Sequence, residues 1–304
     1  MSNLSPSIQS HARLHAMMSS IELQYMLSRV ALKASTAVRD CLDFFGFDPV
    51  KLWRNIIGIP RFIANRLLLS RQIAQSNNAF NCFPSSRVFG GLYPVLGDFR
   101  RSAGSASGHY FHQDLLVANR IYQASPDEHL DIGSRVDGFI AHLLAFNQNL
   151  VIGDIRPLDI SYGTCSFRHI DLTNSQEVNN VGSYSSVSCL HAVEHMGLGR
   201  YGDPVDFMGH IKAIRNLSNL LVSGGTLYIS FPTSNPGRIL YNAHRLISLH
   251  ESRLIFRECN LHIVDLHYVD DKGSLCGPFV EDEVDFANNY NLSYGCSIWT
   301  LLKG

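Results

Sequence analysis

The chain carries no excess of charge of either sign: 25 Lys and Arg stand against 26 Asp and Glu, a formal net charge of −1. That balance gives no global pull toward nucleic acid or acidic polymers, and no stripe of alternating aromatic and basic residues restores one. Cysteine is sparse and scattered. Cys41, Cys82, Cys165, Cys189, Cys259, Cys276 and Cys296 stand singly with no C-x-x-C, which fits reduced thiols and not a disulfide framework. No apolar run reaches the roughly 18 residues of a spanning helix. The opening MSNLSPSIQSHARLHAMM lacks the apolar core of a signal peptide, so the expected location is cytoplasmic, and the sequons at Asn216 and Asn291 read as chance. Two nucleotide signatures are also missing: there is no G-x-G-x-x-G and no glycine loop ending in Lys-Ser/Thr.

What is present is core material. Of 304 residues, 45% are apolar and 17% charged, enough for one large domain or a moderate domain with an extension. Residues 8–46 and 49–76 place apolar residues at helical spacing, with Asp48-Pro49 as a fresh helix start. From Pro49 to Gly97 there is no acid, while Lys51, Arg54, Arg61, Arg66, Arg71 and Arg87 are basic. Such a helix can lie on an anionic membrane. Packing of its apolar face on the main domain is the stronger expectation. The reading is thus a helical extension over 1–76, a loop-rich junction over 77–108 and a main domain over 109–304.

Within the main domain short apolar runs alternate with longer periodic ones. EHLDIG, NLVIGD, FRHIDL, SSVSCL, GTLYISFP, LHIVDLHYV and YGCSIWTLL read as strands. Helices are expected over 112–124, 136–147, 206–221 and 237–257. This alternation predicts an α/β fold: a doubly wound, mostly parallel seven-stranded sheet, Rossmann-like, with an antiparallel last strand.

In such sheets ligands bind beyond the carboxyl ends of the strands. The first strand ends Asp131-Ile132-Gly133-Ser134, a turn whose glycine lets a ligand approach the backbone. The second ends at Asp154, placed for its two acceptor oxygens to take both hydroxyls of a ribose. The third ends at Asp171, followed by Leu172. Three acids after three successive strands point to a nucleoside-type ligand. After Leu190 comes His191-Ala192-Val193-Glu194-His195, the letters of a zinc-peptidase signature. Gly197, Gly199, Gly202 and Pro204 deny it the long helix that signature needs, leaving a loop that presents His191, Glu194 and His195 at the mouth of the sheet.

Taken in order, Asp131-x-Gly133, Asp154, Asp171, Leu190-His191-x-x-Glu194-His195 and LLVSGGTLYISFP resemble the class I S-adenosylmethionine-dependent methyltransferases. GHYFHQDLLVANRIY, LDIGSRVDGFIAHLLAF and LHAVEHMGLGRYGDP further resemble an uncharacterised family, domain of unknown function 268. The resemblance implies S-adenosylmethionine as cofactor, held by Asp131, Gly133, Ser134, Asp154, Asp171, Leu172 and Leu190. It departs from the pattern at Arg135, where a second glycine is usual; that side chain turns outward, meets a carboxylate or blocks the pocket. His191 or His195 would serve as base and Glu194 would orient them. A divalent ion, with His191, Glu194, His195 or Asp203 as ligands, is a variant that the spacing permits without indicating. His109, His112 and Asp114, and Arg200 with Tyr201, are secondary candidates. The expected acceptor is a sugar or other small hydroxyl compound. A scaffold that keeps the fold without turnover and a metal-assisted hydrolase are the alternatives.

Overall fold

Asp48 starts the first helix as expected. Its carboxylate accepts the backbone N–H groups of Val50 and Lys51, each at 2.9 Å, and Pro49 needs no donor in the first turn. Helix α1 then runs Pro49–Gln75. The computed structural model describes residues 46–75, 93–160 and 162–304, which divide into two units, one ending at Gly104 and one beginning at Ser105. The helix expected over 8–46 lies outside the described residues but for its last position. In the first unit α1 buries only Gly58, while Trp53, Ile63, Leu67 and Leu68 are exposed. No helix among the described residues is long and apolar enough to cross a membrane.

The second unit opens with α2 (His109–Ala124), ahead of β1 (His129–Ile132). A π turn, Val136–Ile140, leads into α3 (Ala141–Ala145), then come β2 (Leu150–Asp154) and β3 (Cys165–His169). After the short α4 (Ser175–Val178) follow β4 (Tyr184–Leu190), α5 (Gly209–Asn219) and β5 (Leu221–Thr233). A hairpin of β6 (Arg238–Leu240) and β7 (His244–Leu246) precedes α6 (Leu249–Glu258). The chain ends with β8 (Leu261–Val269), β9 (Leu275–Phe279) and β10 (Gly295–Lys303).

The sheet order is β3-β2-β1-β4-β5-β10-β8-β9. Strands β3, β2, β1, β4 and β5 are parallel, and β10 runs antiparallel between β5 and β8. The doubly wound architecture is therefore as predicted, with corrections. The sheet has eight strands, because β9 pairs antiparallel with β8 at the edge. Residues 237–257 are not one helix. Ser248 accepts the N–H of Glu251 and starts α6 there, while β7 sends Arg245 and Leu246 inward from an extended backbone. The helix expected over 206–221 is shorter, since Asp206 accepts the N–H of Met208 and turns the chain just ahead of α5.

Both sheet faces are covered, which is why the central strands read as continuous apolar runs. On one face Val187, Leu227, Ile229 and Phe231 pack with Ile214 and Leu217 of α5 and Phe256 of α6. On the other, Leu150, Ile152 and Ile298 pack with Val117 and Ile121 of α2, Phe139 of the π turn and Leu143 of α3. Strand order reverses between β1 and β4. The carboxyl ends of those strands define the crevice where a ligand sits in this topology.

Candidate active site

Behind the crevice lies a buried polar chain. His129 bonds Ser186 and Ser188 at 2.8 Å each, and the Ser188 hydroxyl donates to Asp131 at 2.5 Å. Because that hydroxyl donates onward, it takes its own hydrogen from His129 Nε2, which leaves Nδ1 to accept from Ser186. Burial pushes the His129 pKa down to about 3. Asp131 also accepts the Ser134 hydroxyl at 2.8 Å and backbone N–H at 3.3 Å. It is completely buried and bonds only these framework groups, so it shapes the glycine turn and does not line the crevice.

Burial raises the Asp131 pKa to about 7, against the hydrogen bonds from Ser188 and Ser134. A folded-state value above the unfolded 3.8 means that its contribution to stability is full below 3.8 and is lost as pH rises through about 7. Between those limits the wild type should lose stability relative to Asp131→Asn at about 1.4 kcal/mol per pH unit. Urea unfolding of both proteins across that range measures the difference; equal slopes would show an ordinary carboxyl group.

Above this frame a cavity is lined by Gly133, Asp154, Asp171, Leu172, His191 and His195. A neighbouring cavity shares Gly133, His191 and His195 and adds Tyr110, Ser134 and Leu190. All the residues expected to hold cofactor except Asp131 thus face one of the two. Gly133 has a φ of +77°, and a Cβ there would stand 2.8 Å from the Ala192 Cβ. Only glycine keeps this turn open. Arg135 pairs with Asp137 at 2.9 Å, is largely exposed, and also lines the second cavity beside Tyr110.

Asp154 is not free. Its Oδ1 accepts the Arg156 backbone N–H at 2.8 Å and Nε at 3.0 Å, and its Oδ2 accepts Nη2 at 2.7 Å. The Arg156 guanidinium also lies over Tyr201, 4.7 Å from the ring centroid. Asp171 Oδ1 accepts the N–H and hydroxyl of Thr173, both at 2.7 Å.

The H-x-x-E-H segment is a loop with one 3₁₀ turn, Val193–His195, as its glycines require. Asp203 ties that loop, accepting the N–H groups of Gly197 at 2.6 Å, Gly199 at 3.3 Å and Tyr201 at 3.2 Å. Both its oxygens serve the backbone. Arg245, from β7, donates to the carbonyls of Glu194, Met196, Asp206 and Phe207. No local pattern signals this clamp, because its acceptors lie about 40 to 50 residues earlier in the chain.

Glu194 is fully buried between the two histidines. Its Oε1 lies 3.0 Å from His191 Nδ1 and 3.7 Å from His195 Nε2. His191 adopts a φ of +50°, and its other nitrogen, Nε2, is buried without a hydrogen-bond partner. Burial acts to lower the His191 pKa, but neighbouring Cys296 and Glu194 outweigh it and hold it well above the usual range. Neither His191 nitrogen is open to the cavity. His195 differs: its Nδ1 donates to the Ala243 carbonyl at 2.7 Å, because a carbonyl only accepts. Its Nε2 therefore keeps the lone pair. Burial lowers the His195 pKa, against Glu194 and the Ala243 carbonyl, so the ring is neutral at pH 7. Of the two expected bases, His195 is the one equipped for the role.

The secondary candidates separate. His109 stacks on His191 with centroids 5.4 Å apart, and burial followed by the His191 charge lowers its pKa to about 4. Asp114 faces the second cavity, whereas His112 bonds the Gly273 carbonyl at 3.1 Å. Arg200 donates to the Ala243 carbonyl at 2.8 Å beside His195. Sequence reading missed Tyr110, Arg156, His244 and Tyr294. The last two bond each other at 3.1 Å, and the Tyr294 ring stacks on His109. No spacing rule links such distant positions.

Solved structures with a similar chain path include the [4+2]-cyclase SpnF, at 11% identity over 63% of this chain and 80% of that one, TM-score 0.45. The N-methyltransferase NodS from Bradyrhizobium japonicum, with S-adenosyl-L-homocysteine, is 14% identical over 64% and 88%, TM-score 0.43. An S-adenosylmethionine-dependent methyltransferase from Clostridium acetobutylicum is 11% identical over 64% and 92%, TM-score 0.43. Likeness at this level carries nothing about substrate or chemistry. No curated protein matches the sequence. Residues 146–257, from the approach to β2 into α6, match the family described as Caenorhabditis protein of unknown function, DUF268, in keeping with the resemblance drawn from the sequence.

Proposed function

We propose that this protein is an S-adenosylmethionine-dependent O-methyltransferase acting on a sugar or another small hydroxyl acceptor, in surface-glycan metabolism. The observation that carries the reading is one cavity that gathers the Gly133 turn, Asp154, Asp171 and Leu172 from three successive strand ends and sets His195 beside them. The cofactor supplies a methyl group on a positively charged sulfur. Gly133 would admit it to the backbone, Asp154 would take its ribose hydroxyls, and Asp171 with Leu172 would hold its adenine. His195 Nε2 would accept the proton of the acceptor hydroxyl. Glu194, 3.7 Å from that nitrogen, then stabilises the charged ring.

The Arg156 ion pair on Asp154 favours a second reading, a scaffold of the same fold without turnover. Arg156 is about half exposed while Asp154 is only 14% exposed, so ribose hydroxyls must compete with the guanidinium for the carboxylate. Calorimetric titration with S-adenosylmethionine and S-adenosylhomocysteine decides. Saturable binding is expected, weakened at least about tenfold in Asp154→Ala, a loss of about 1.4 kcal/mol, and retained in Arg156→Ala. No binding at about 1 mM ligand, equivalent to about −4 kcal/mol, would remove the methyltransferase reading.

A further inference from the structure

The geometry points to a zinc-class metal site formed by His109, His191 and Cys296, on the β10 side of the histidine loop. One donor atom from each residue lies within 4.8 Å of the others. The three come from the first turn of α2, the loop after β4 and the start of β10, so only the fold brings them together. This set differs from the ligands that the H-x-x-E-H spacing suggested: Asp203 is spent on the loop backbone, and Glu194 faces the far side of His191.

Two further observations support a metal. His191 Nε2 is a buried nitrogen with no hydrogen-bond partner, an arrangement folded proteins rarely leave unexplained. Its other nitrogen, Nδ1, faces Glu194 Oε1 at 3.0 Å. A carboxylate on the remote nitrogen of an imidazole is the usual outer support of a metal-bound histidine, because it fixes the tautomer and aims the free lone pair at the ion. The orphaned nitrogen and the placement of Glu194 have one explanation in common.

The donor set selects the ion. Two imidazoles and a thiolate suit Zn²⁺ and exclude Mg²⁺ and Ca²⁺, which take oxygen ligands. Donors around tetrahedral zinc stand closer than 4.8 Å, since each bond is about 2.0–2.3 Å. The ion must therefore draw the cluster together. His109, only partly buried and beside Gly108, is the member that moves inward, giving up its stack on Tyr294. On binding, the Cys296 thiol and the protonated His191 Nε2 each release a proton to solvent, and the freed sulfur and nitrogen bond the metal. Three protein ligands leave a fourth position, the arrangement of zinc sites that bind water or a substrate oxygen.

The test uses full-length protein carrying no histidine tag, incubated with zinc, desalted and analysed for metal. About one equivalent of zinc per chain is expected, falling below about one tenth in Cys296→Ser and in His109→Ala. Cys276→Ser, a half-buried cysteine elsewhere, should keep the full equivalent. Glu194→Gln should weaken zinc affinity about 10–100-fold. Cobalt-loaded wild type should show a thiolate-to-metal charge-transfer band, a readout that holds even where a cysteine variant fails to fold. Wild type that retains no zinc, zinc content unchanged in His109→Ala, or cobalt protein without that band would each overturn the proposal. No S-adenosylmethionine enters these measurements, so their outcome is separate from the titration that tests the methyltransferase reading.

Discussion

His195→Gln is expected to lower methyl transfer about 10²–10⁴-fold, the usual contribution of a general base, while leaving S-adenosylhomocysteine affinity within about twofold. The expectation rests on which nitrogen is free. The 2.7 Å contact to the Ala243 carbonyl places the proton on Nδ1 and leaves Nε2 as the acceptor. Burial, which lowers the His195 pKa below 6.5 ahead of the opposing Glu194 and Ala243 contacts, keeps that nitrogen unprotonated at neutral pH. The acid limb of the wild-type rate profile should therefore fall below pH 6.5, and His195→Gln should abolish that limb along with most of the rate. A limb at or above 6.5 would point to a different group. Equal rates in both proteins across a panel of sugar acceptors would remove His195 from the chemistry.

Arg245→Met is expected to destabilise the protein by about 3–5 kcal/mol, the cost of emptying a buried charged hydrogen-bonding site. Arg245 is 3% exposed, and its guanidinium bonds the carbonyls of Met196 at 2.6 Å, Asp206 at 3.2 Å, Phe207 at 3.3 Å and Glu194 at 3.4 Å. Methionine keeps an apolar stem of similar length and supplies no donor, so the carbonyls lose their partner while the packing largely remains. Urea unfolding reads the loss. A cost under about 1 kcal/mol, that of an ordinary surface change, would show that water replaces the guanidinium. The consequence reaches the site, because these carbonyls flank Glu194 and the turn that carries His195.

Much of the architecture was legible before any coordinates. The central strands are short, largely apolar runs with a glycine or polar residue at or just beyond their carboxyl ends, the pattern of a parallel sheet covered on both faces. Asp48-Pro49 announced α1 because capping depends on neighbours two and three residues away. The errors fell where local pattern competes with distant contact. Residues 237–257 hold enough aliphatic residues for a helix, but Arg245 is recruited by carbonyls of the histidine loop, and the chain extends to deliver it. Strand β9 contains Gly277 and Pro278, which depress strand propensity, and its pairing with β8 overrides that preference.

The sequence by itself determined the doubly wound sheet, the glycine turn after β1 and the row of strand-end residues facing one crevice. These depend on short-range periodicity and turn chemistry. Only the tertiary structure decided the chemistry of each side chain. It sank Asp131 into a serine-histidine chain, engaged Asp154 with Arg156, and gave His195 the open nitrogen. It also brought Cys296 to His191 across the end of the sheet. The reason is physical: a side chain's role depends on which partners desolvate it and take its hydrogen bonds, and those partners arrive from strands and loops far away along the chain.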